Sequence, residues 1–120
     1  MSNVSDVSEE DAKLISLARG ARARVGSAEG AAVRDQTGRS YSAASVDLPS
    51  VKLTAMQLAV ATAASAGATG CEAAVLITRE PMIDALDVAA IRELGGQYVP
   101  VLICDSRGEV VKMLESGADA

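Results

Sequence analysis

The sequence contains no histidine, phenylalanine or tryptophan, and its only cysteines are Cys71 and Cys104. Histidine is the side chain that most often acts as a general base near neutral pH, and it is also the commonest metal ligand. Its absence excludes serine hydrolysis through a Ser-His pair. The two cysteines form no Cys-x-x-Cys motif and are predicted to lie at distant points of two strands, so we expect free, buried thiols and no disulfide.

Aromatic side chains are nearly absent, because Tyr41 and Tyr98 are the only two. Since 49% of the residues are hydrophobic, the core must be built from Ala, Val, Leu, Ile and Met in closely spaced layers. A chain of 120 residues supports one core of this kind. We predict a single domain over residues 9–114, with a flexible N-terminus over 1–8 and a C-terminal tail over 115–120.

Basic residues are also scarce, since 11 Lys and Arg oppose 16 Asp and Glu to give a net charge of −5. A protein that binds nucleic acid or an anionic membrane nonspecifically needs a clustered basic surface, so neither partner is predicted. The polar, acidic segment 1–11 lacks the apolar core of a signal peptide, which predicts a cytoplasmic location. The uncharged stretch 53–71 is too rich in Ala, Thr, Ser and Gly to cross a membrane.

Hydrophobic periodicity predicts the element order α-β-β-α-β-α-β-β. Helices are predicted at 9–25, 51–66 and 82–94, and strands at 31–33, 41–46, 72–78, 99–103 and 109–113. Alternation of strands and helices indicates an α/β protein with helices on both faces of a five-stranded mixed sheet. We expect the sheet to be mostly parallel, with an antiparallel hairpin strand at one edge.

The predicted helix at 51–66 has almost no polar face after Lys52. Such a helix must be covered on most sides, by the sheet and by a further element or subunit. The sequence therefore predicts a homo-oligomer in which this helix is central.

Small-residue patterns in this order resemble the cytidine deaminase family. The resemblance is carried by Gly30-Ala31-Ala32-Val33, by the hairpin segment Thr37-Gly38-Arg39-Ser40-Tyr41 and by the Ala-rich helix that ends Ser65-Ala66-Gly67. Family members have a Val-Gly-Ala-Ala strand, an Asp-Gly hairpin, Cys/His-Ala-Glu at the start of the central helix and Pro-Cys-x-x-Cys at the next helix. The resemblance spans roughly residues 14–113 and implies the three-layer α/β/α cytidine deaminase-like fold.

The resemblance also implies where a catalytic zinc would be bound. In the family, three His or Cys ligands hold zinc, and a nearby carboxylate transfers protons for the metal-bound water. The corresponding positions here are Thr54, Met56, Asp84 and Asp87, so a hydroxyl and two carboxylates replace the ligands and a thioether replaces the acid. Methionine carries no transferable proton. Asp84 and Asp87 are better explained as first-turn acids that complement a helix dipole in solvent.

Ser45 and Asp47 fall near the positions where the family holds ribose with Asn and Glu. Asp47 could accept a ligand hydroxyl, although a cap or turn role before Pro49 is the simpler explanation. No Phe or Trp exists to stack on a base.

These residues lead to a predicted degenerate pocket at Ser45, Asp47, Thr54, Met56, Asp84 and Asp87. The leading hypothesis is a catalytically silent cytidine deaminase-like domain without a cofactor, acting as an oligomeric binding or regulatory module. A nucleoside-like small molecule is a further candidate partner for the pocket. The alternative is a divergent zinc-dependent cytidine or nucleoside deaminase that binds its metal through non-standard ligands.

Overall fold

A computed structural model describes residues 7–117 and places them in three layers. The elements are α1 (Glu9–Val25), β1 (Gly30–Asp35), β2 (Ser40–Ala44), β3 (Val46–Asp47), β4 (Lys52–Leu53), α2 (Ala55–Ser65), β5 (Cys71–Ile77), α3 (Ala85–Gly95), β6 (Pro100–Cys104) and β7 (Val110–Glu115). Helix α1 packs on one face of the sheet, and α2 and α3 pack on the other.

The main sheet has five strands in the order β2-β1-β5-β6-β7. Its mixed character was predicted, but the expectation of a mostly parallel sheet is wrong, because only β5 and β6 are paired in parallel. The crossover through α2 does bring β5 into the same direction as β2. Strand β1 lies between β2 and β5 and is antiparallel to both, so β2 and β5 do not pair with each other.

Alternating side chains of each strand contribute to the two faces of the sheet. Ala32, Val75 and Leu102 face α1, whereas Ala31, Leu76 and Ile103 face α2 and α3. The α1 layer approaches the sheet so closely that a Cβ at Gly30 would collide with the Ala18 carbonyl oxygen and the Arg22 side chain. The closely spaced layers predicted from composition are therefore present.

A short second sheet, β3 paired with β4, was not predicted. One strand was predicted to reach Val46 and the next helix to begin at Val51, but the chain between them folds back on itself. The Leu48 N–H donates to the Val51 carbonyl at 2.9 Å, which closes a turn over Pro49 and Ser50.

Helix α2 consequently begins after Thr54 and not at Val51. The Gln57 N–H donates to Thr54 Oγ1 at 3.0 Å, and the Thr54 N–H donates to Gln57 Oε1 at 3.0 Å. This capping box satisfies two amides that would otherwise lack partners, and the Thr-x-x-Gln spacing that forms it is visible in the sequence.

Helix α2 buries one side and exposes the other. Ala55, Met56, Ala59 and Ala63 are fully buried against the sheet and α3. Ala61, Thr62, Ala64 and Ser65 are exposed, and a shallow surface cavity lies along Leu58, Ala61, Thr62, Ser65 and Ala66. No element within residues 7–117 covers this uncharged outer face of α2.

In two hairpin turns of the main sheet, an aspartate side chain accepts hydrogen bonds from backbone N–H groups of the turn. Asp35 Oδ1 accepts hydrogen bonds from the Thr37 and Arg39 N–H groups at 2.8 and 3.0 Å. Asp105 Oδ1 accepts from the Arg107 and Glu109 N–H groups at 2.9 and 3.1 Å. In both turns the glycine three residues after the aspartate has a positive φ, which costs glycine little.

The Asp35 carboxylate has additional partners. The Thr37 hydroxyl donates to Oδ1 at 2.7 Å and the Tyr41 hydroxyl donates to Oδ2 at 2.8 Å. The hydrogen bond from the Thr37 side chain, followed by those from Tyr41 and the backbone, lowers the pKa of Asp35 to about 2 against the opposing effect of burial. One acidic side chain thus fixes the β1–β2 hairpin.

The chain is structured through Ser116, although a C-terminal tail was predicted from residue 115. Strand β7 runs to Glu115, and Ser116 is fully buried. The Val99 N–H donates to Ser116 Oγ at 3.1 Å, and Ser116 Oγ in turn donates to the Gly96 carbonyl. At the other end, Ser8 is the N-cap of α1. The rest of the predicted flexible ends, residues 1–6 and 118–120, lies outside the described residues.

Both cysteines are free, as predicted, and neither is suited to nucleophilic chemistry. Burial raises the pKa of Cys71 to about 11 and that of Cys104 to about 12. Both thiols are therefore protonated at neutral pH. Over residues 7–117, no helix has the length and apolar character that a membrane span requires.

Candidate functional site

A pocket of about 440 Å³ lies where the β3–β4 hairpin meets the start of α2. Its lining residues are Glu29, Ser45, Val46, Asp47, Lys52, Leu53, Thr54 and Gln57. The pocket therefore brings together Ser45, Asp47 and Thr54 of the six predicted site residues. Met56, Asp84 and Asp87 are not among its lining residues.

Thr54 and Asp87 are joined by a hydrogen bond that links the starts of α2 and α3. The Thr54 hydroxyl donates to Asp87 Oδ1 at 2.6 Å, while Thr54 Oγ1 also accepts the capping bond from Gln57. Asp87 is only 2% exposed. The expectation of a solvated first-turn acid is therefore wrong for Asp87, because helix α3 turns this position toward α2.

Burial raises the pKa of Asp87, the hydrogen bond from Thr54 lowers it, and the nearby charge of Asp84 raises it further. The net effect is an upward shift. Asp84 itself is exposed and occupies the N-cap of α3, although its side chain makes no capping hydrogen bond. It lies beside a separate surface cavity with Met82, Ile83 and Ala85.

Met56 is fully buried within the core between the sheet, α2 and α3. Its position after the N-cap places it on the inner side of α2. The thioether there packs against hydrophobic neighbours and supplies no acid or base.

Ser45 and Asp47 stand on the hairpin side of the pocket. The Ser27 hydroxyl donates to Ser45 Oγ at 3.0 Å, and the Ser45 N–H donates to Ser27 Oγ at 3.3 Å. Asp47 lies in β3 opposite Lys52, whose Nζ is 3.4 Å from Asp47 Oδ1. Of the cap or turn role predicted for Asp47, the cap is wrong, because Thr54 caps α2. Asp47 instead lies directly before the turn at residues 48–51.

Glu29 is the main pocket residue that sequence reasoning missed. It precedes Gly30, and β1 pairs Gly30 with Ile77 of β5, which brings Glu29 close to Thr78. Burial raises the pKa of Glu29, and the charges of Asp87 and Asp84 raise it further against a smaller lowering by the Thr78 hydroxyl. No motif marks a lone Glu in a loop, so only the sheet register could have identified it.

The donor set at Thr54, Asp84 and Asp87 does not fit a zinc site. Zinc in proteins is normally held by imidazole or thiolate ligands, and this set would offer only oxygen. The Thr54 hydroxyl already donates a hydrogen bond to the Asp87 carboxylate. Across residues 7–117, the structure contains no group of three or more His, Cys, Asp or Glu placed to hold a metal ion.

Comparison with known proteins identifies the fold. A family model described as cytidine deaminase-like matches residues 7–108. No curated protein matches the chain.

Three solved structures are similar to this one over nearly their whole length. Cytidine deaminase from Burkholderia pseudomallei has 21% identity and a TM-score of 0.77, with 92% of this chain and 94% of that chain covered. Cytidine deaminase from Mycobacterium leprae has 18% identity and a TM-score of 0.69, with coverage of 92% and 95%. A mutant cytidine deaminase from Mycobacterium tuberculosis has 22% identity and a TM-score of 0.70, with coverage of 93% for both chains.

At these identities the structures establish a shared fold, and they confirm the predicted α/β architecture with its five-stranded mixed sheet. The family model covers most of the sequence, from the start of the described residues to the β6–β7 turn. The chain therefore belongs to the cytidine deaminase-like family.

Proposed function

We propose that this protein is a catalytically silent cytidine deaminase-like domain that acts in the cytoplasm as an oligomeric binding or regulatory module. The observation that carries this proposal is the 2.6 Å hydrogen bond between Thr54 and Asp87. These are two of the positions that correspond to the family's zinc ligands, and each side chain satisfies the other.

Hydrolytic deamination needs a water activated by a metal and a group that moves its proton. The chain offers no His or clustered Cys for the metal, and Met56 at the position of the proton carrier has no proton to move. Glu29 lines the pocket and could act as a substitute base. A base alone, without a metal to activate the water, would not supply the charge stabilisation on which the reaction depends.

The volume and the lining of the pocket support the binding of a small molecule. Its volume of about 440 Å³ is in the range of ligand pockets, which is roughly 300–1,000 Å³. The Ser45 hydroxyl, the Gln57 amide and the Glu29 carboxylate provide donors and acceptors at its wall. A nucleoside-like molecule bound here would be held without being hydrolysed.

The outer face of α2 supports self-association. This face presents uncharged side chains, most of them small, that another copy of the same face could approach closely; they are Leu58, Ala61, Thr62 and Ser65. An uncovered face of this kind in a central helix favours an interface between subunits.

The first test asks whether the protein binds metal and whether it turns over cytidine. We expect less than about 0.1 metal ion per chain after purification in zinc-containing medium, and no uridine formed from cytidine. One zinc per chain together with turnover would instead establish the alternative, a divergent zinc-dependent deaminase that binds its metal through Thr54, Asp84, Asp87 or a displaced Cys.

A matched variant carries the family's residues at the same positions. The combined substitution T54C/M56E/D84C/D87C should acquire one zinc per chain, which would show that the assay detects a site in this scaffold. The control T54S keeps the hydroxyl and should remain metal-free.

The second test concerns the oligomer. Light scattering at low concentration should give a mass of at least two chains, and Ala61→Glu on the outer face of α2 should shift it toward the monomer. Ser16→Glu on exposed α1 makes the same change of charge on the opposite layer and should leave the mass unchanged. A wild-type protein that is only monomeric would remove the oligomer from the proposal.

A further inference from the structure

One carboxylate of the pocket wall, that of Glu29, forms no ion pair with a basic side chain of the protein. Glu29 is half-buried, and its pKa is raised by burial and then by the charges of Asp87 and Asp84, which lie outside the pocket lining. All 11 Lys and Arg residues lie between positions 13 and 112, inside the described part of the chain. None of the ion pairs formed among residues 7–117 involves Glu29, Asp84 or Asp87.

Lys52, the one basic residue that lines the pocket, is paired with Asp47 and not with Glu29. Its Nζ lies 3.4 Å from Asp47 Oδ1 in the exposed β3–β4 hairpin. The pocket thus has a neutralised side at the hairpin and an anionic side at Glu29. A cation of matching size would complete the charge balance of the anionic side.

Neutral hydrogen-bonding groups lie between these two sides. Ser45 Oγ accepts from Ser27, which leaves the Ser45 proton free to donate. Gln57 uses its Oε1 in the capping box, which leaves its amide NH₂ free. Both free groups are donors, and ligand hydroxyls or carbonyls are the acceptors that suit them.

No aromatic ring lines the pocket. Tyr41 directs its hydroxyl to Asp35 in the β1–β2 hairpin, and Tyr98 lines a different surface cavity. Stacking on an aromatic ring is a major source of affinity for flat bases. Recognition in this pocket therefore relies on charge, hydrogen bonds and contact with the apolar side chains of Val46 and Leu53, and not on ring stacking.

From this arrangement we propose that the pocket binds a small hydroxylated ligand that carries a protonated primary amine, with the Glu29 carboxylate as the partner of the amine. Ser45 and Gln57 donate to oxygen atoms of the same ligand. The inference rests on the proposed function, because it takes the pocket as a binding site and not as a metal centre.

Isothermal titration with two matched pairs of compounds tests the proposal. The pairs are 5′-amino-5′-deoxyuridine with uridine and 6-amino-6-deoxyglucose with glucose, which differ in one protonated amine. At about pH 7, the amine of at least one pair should bind at least about tenfold more tightly than its neutral partner. Glu29→Gln should remove that preference, because a hydrogen bond between two charged groups becomes one to a neutral amide. Glu109→Gln removes a carboxylate on the β6–β7 turn and should change nothing.

The pH dependence of the wild-type protein gives a second readout that needs no variant. Amine binding should weaken as the pH falls through the raised pKa of Glu29, because the carboxylate is then neutralised. Equal binding of both members of each pair, the absence of any binding, or a preference that survives in Glu29→Gln would overturn the inference. Each of these results leaves the proposed catalytic silence standing. Bound zinc with cytidine turnover would overturn both.

Discussion

At the scale of single residues, the structure brings together only some of the predicted site residues. Thr54, Ser45 and Asp47 line one pocket, whereas Met56, Asp84 and Asp87 do not line it. The burial of Asp87 and the participation of Glu29 were missed. Both depend on how α3 is rotated and on the β1–β5 register, and neither is encoded in local sequence spacing.

Thr54→Val tests the two roles of the Thr54 hydroxyl. The substitution removes an N-cap, which costs about 0.5–2 kcal/mol, and leaves the buried Asp87 carboxylate without its donor. We expect a loss of about 2 kcal/mol or more in the free energy of unfolding at neutral pH, measured by urea denaturation. Thr54→Ser keeps the hydroxyl and should lose much less.

The loss in Thr54→Val should depend on pH. Without its donor Asp87 is harder to ionise, so its pKa in the folded variant rises further. The penalty is therefore largest above that pKa and diminishes as the pH falls through it and the carboxyl becomes neutral. A loss that stays constant between neutral and mildly acidic pH would contradict this account of Asp87.

At the scale of elements, helices and strands were predicted close to where they occur, because hydrophobic periodicity marks them directly. The structure added the β3–β4 hairpin and shortened the central helix to Ala55–Ser65. A turn at residues 48–51 and a capping box at Thr54 decided that boundary. The sequence contained both signals, but an uninterrupted apolar stretch outweighed them in the prediction.

The two aspartate-centred turns should differ in their contribution to acid stability. The pKa of Asp35 is lowered to about 2, so its stabilising effect is complete above the unfolded-state value of about 3.9 and is lost as the pH falls toward 2. In Asp35→Asn the melting temperature should therefore fall less steeply with acid than in the wild type. Asp105, with fewer side-chain partners, should give a smaller change in Asp105→Asn. Identical acid profiles for Asp35→Asn and the wild type would disprove the role of this carboxylate.

Ser116 extends the structured region beyond the last predicted strand. Ser116→Ala removes a buried hydroxyl that accepts from Val99 and donates to Gly96, and we expect it to cost about 1–3 kcal/mol of unfolding free energy. Ser16→Ala on the exposed side of α1 is the matched control and should lie within about 0.5 kcal/mol of the wild type. An effect of Ser116→Ala as small as that of the control would indicate a frayed C-terminus.

At the scale of the whole molecule, the layer order and the family were predictable from element order and small-residue patterns. The strand directions were not, because the position of β1 between β2 and β5 is a property of the assembled sheet. Alternation of hydrophobic residues in the sequence predicts where strands occur. The order of the strands in the sheet depends on tertiary packing, in which α1 and α2 lie on opposite faces.

The spacing between α1 and the sheet can be tested with a pair of glycines. Gly30→Ala introduces a methyl group into the Ala18 carbonyl and should cost about 1–3 kcal/mol through overpacking. Gly20→Ala lies within α1, where the nearest atom to a new Cβ is 3.9 Å away, and should stabilise the helix by up to about 1 kcal/mol. Opposite signs in urea denaturation are expected. A gain in stability from Gly30→Ala would mean that the two layers can separate without cost.

The junction between the starts of α2 and α3 is closed by Thr54 and Asp87, two side chains of the same polypeptide. The hydrogen bond between them forms as the chain folds and uses no bound ion. We therefore expect the maturation of this protein not to depend on the metal supply of its cell, and a chelator such as EDTA to leave its unfolding curve unchanged.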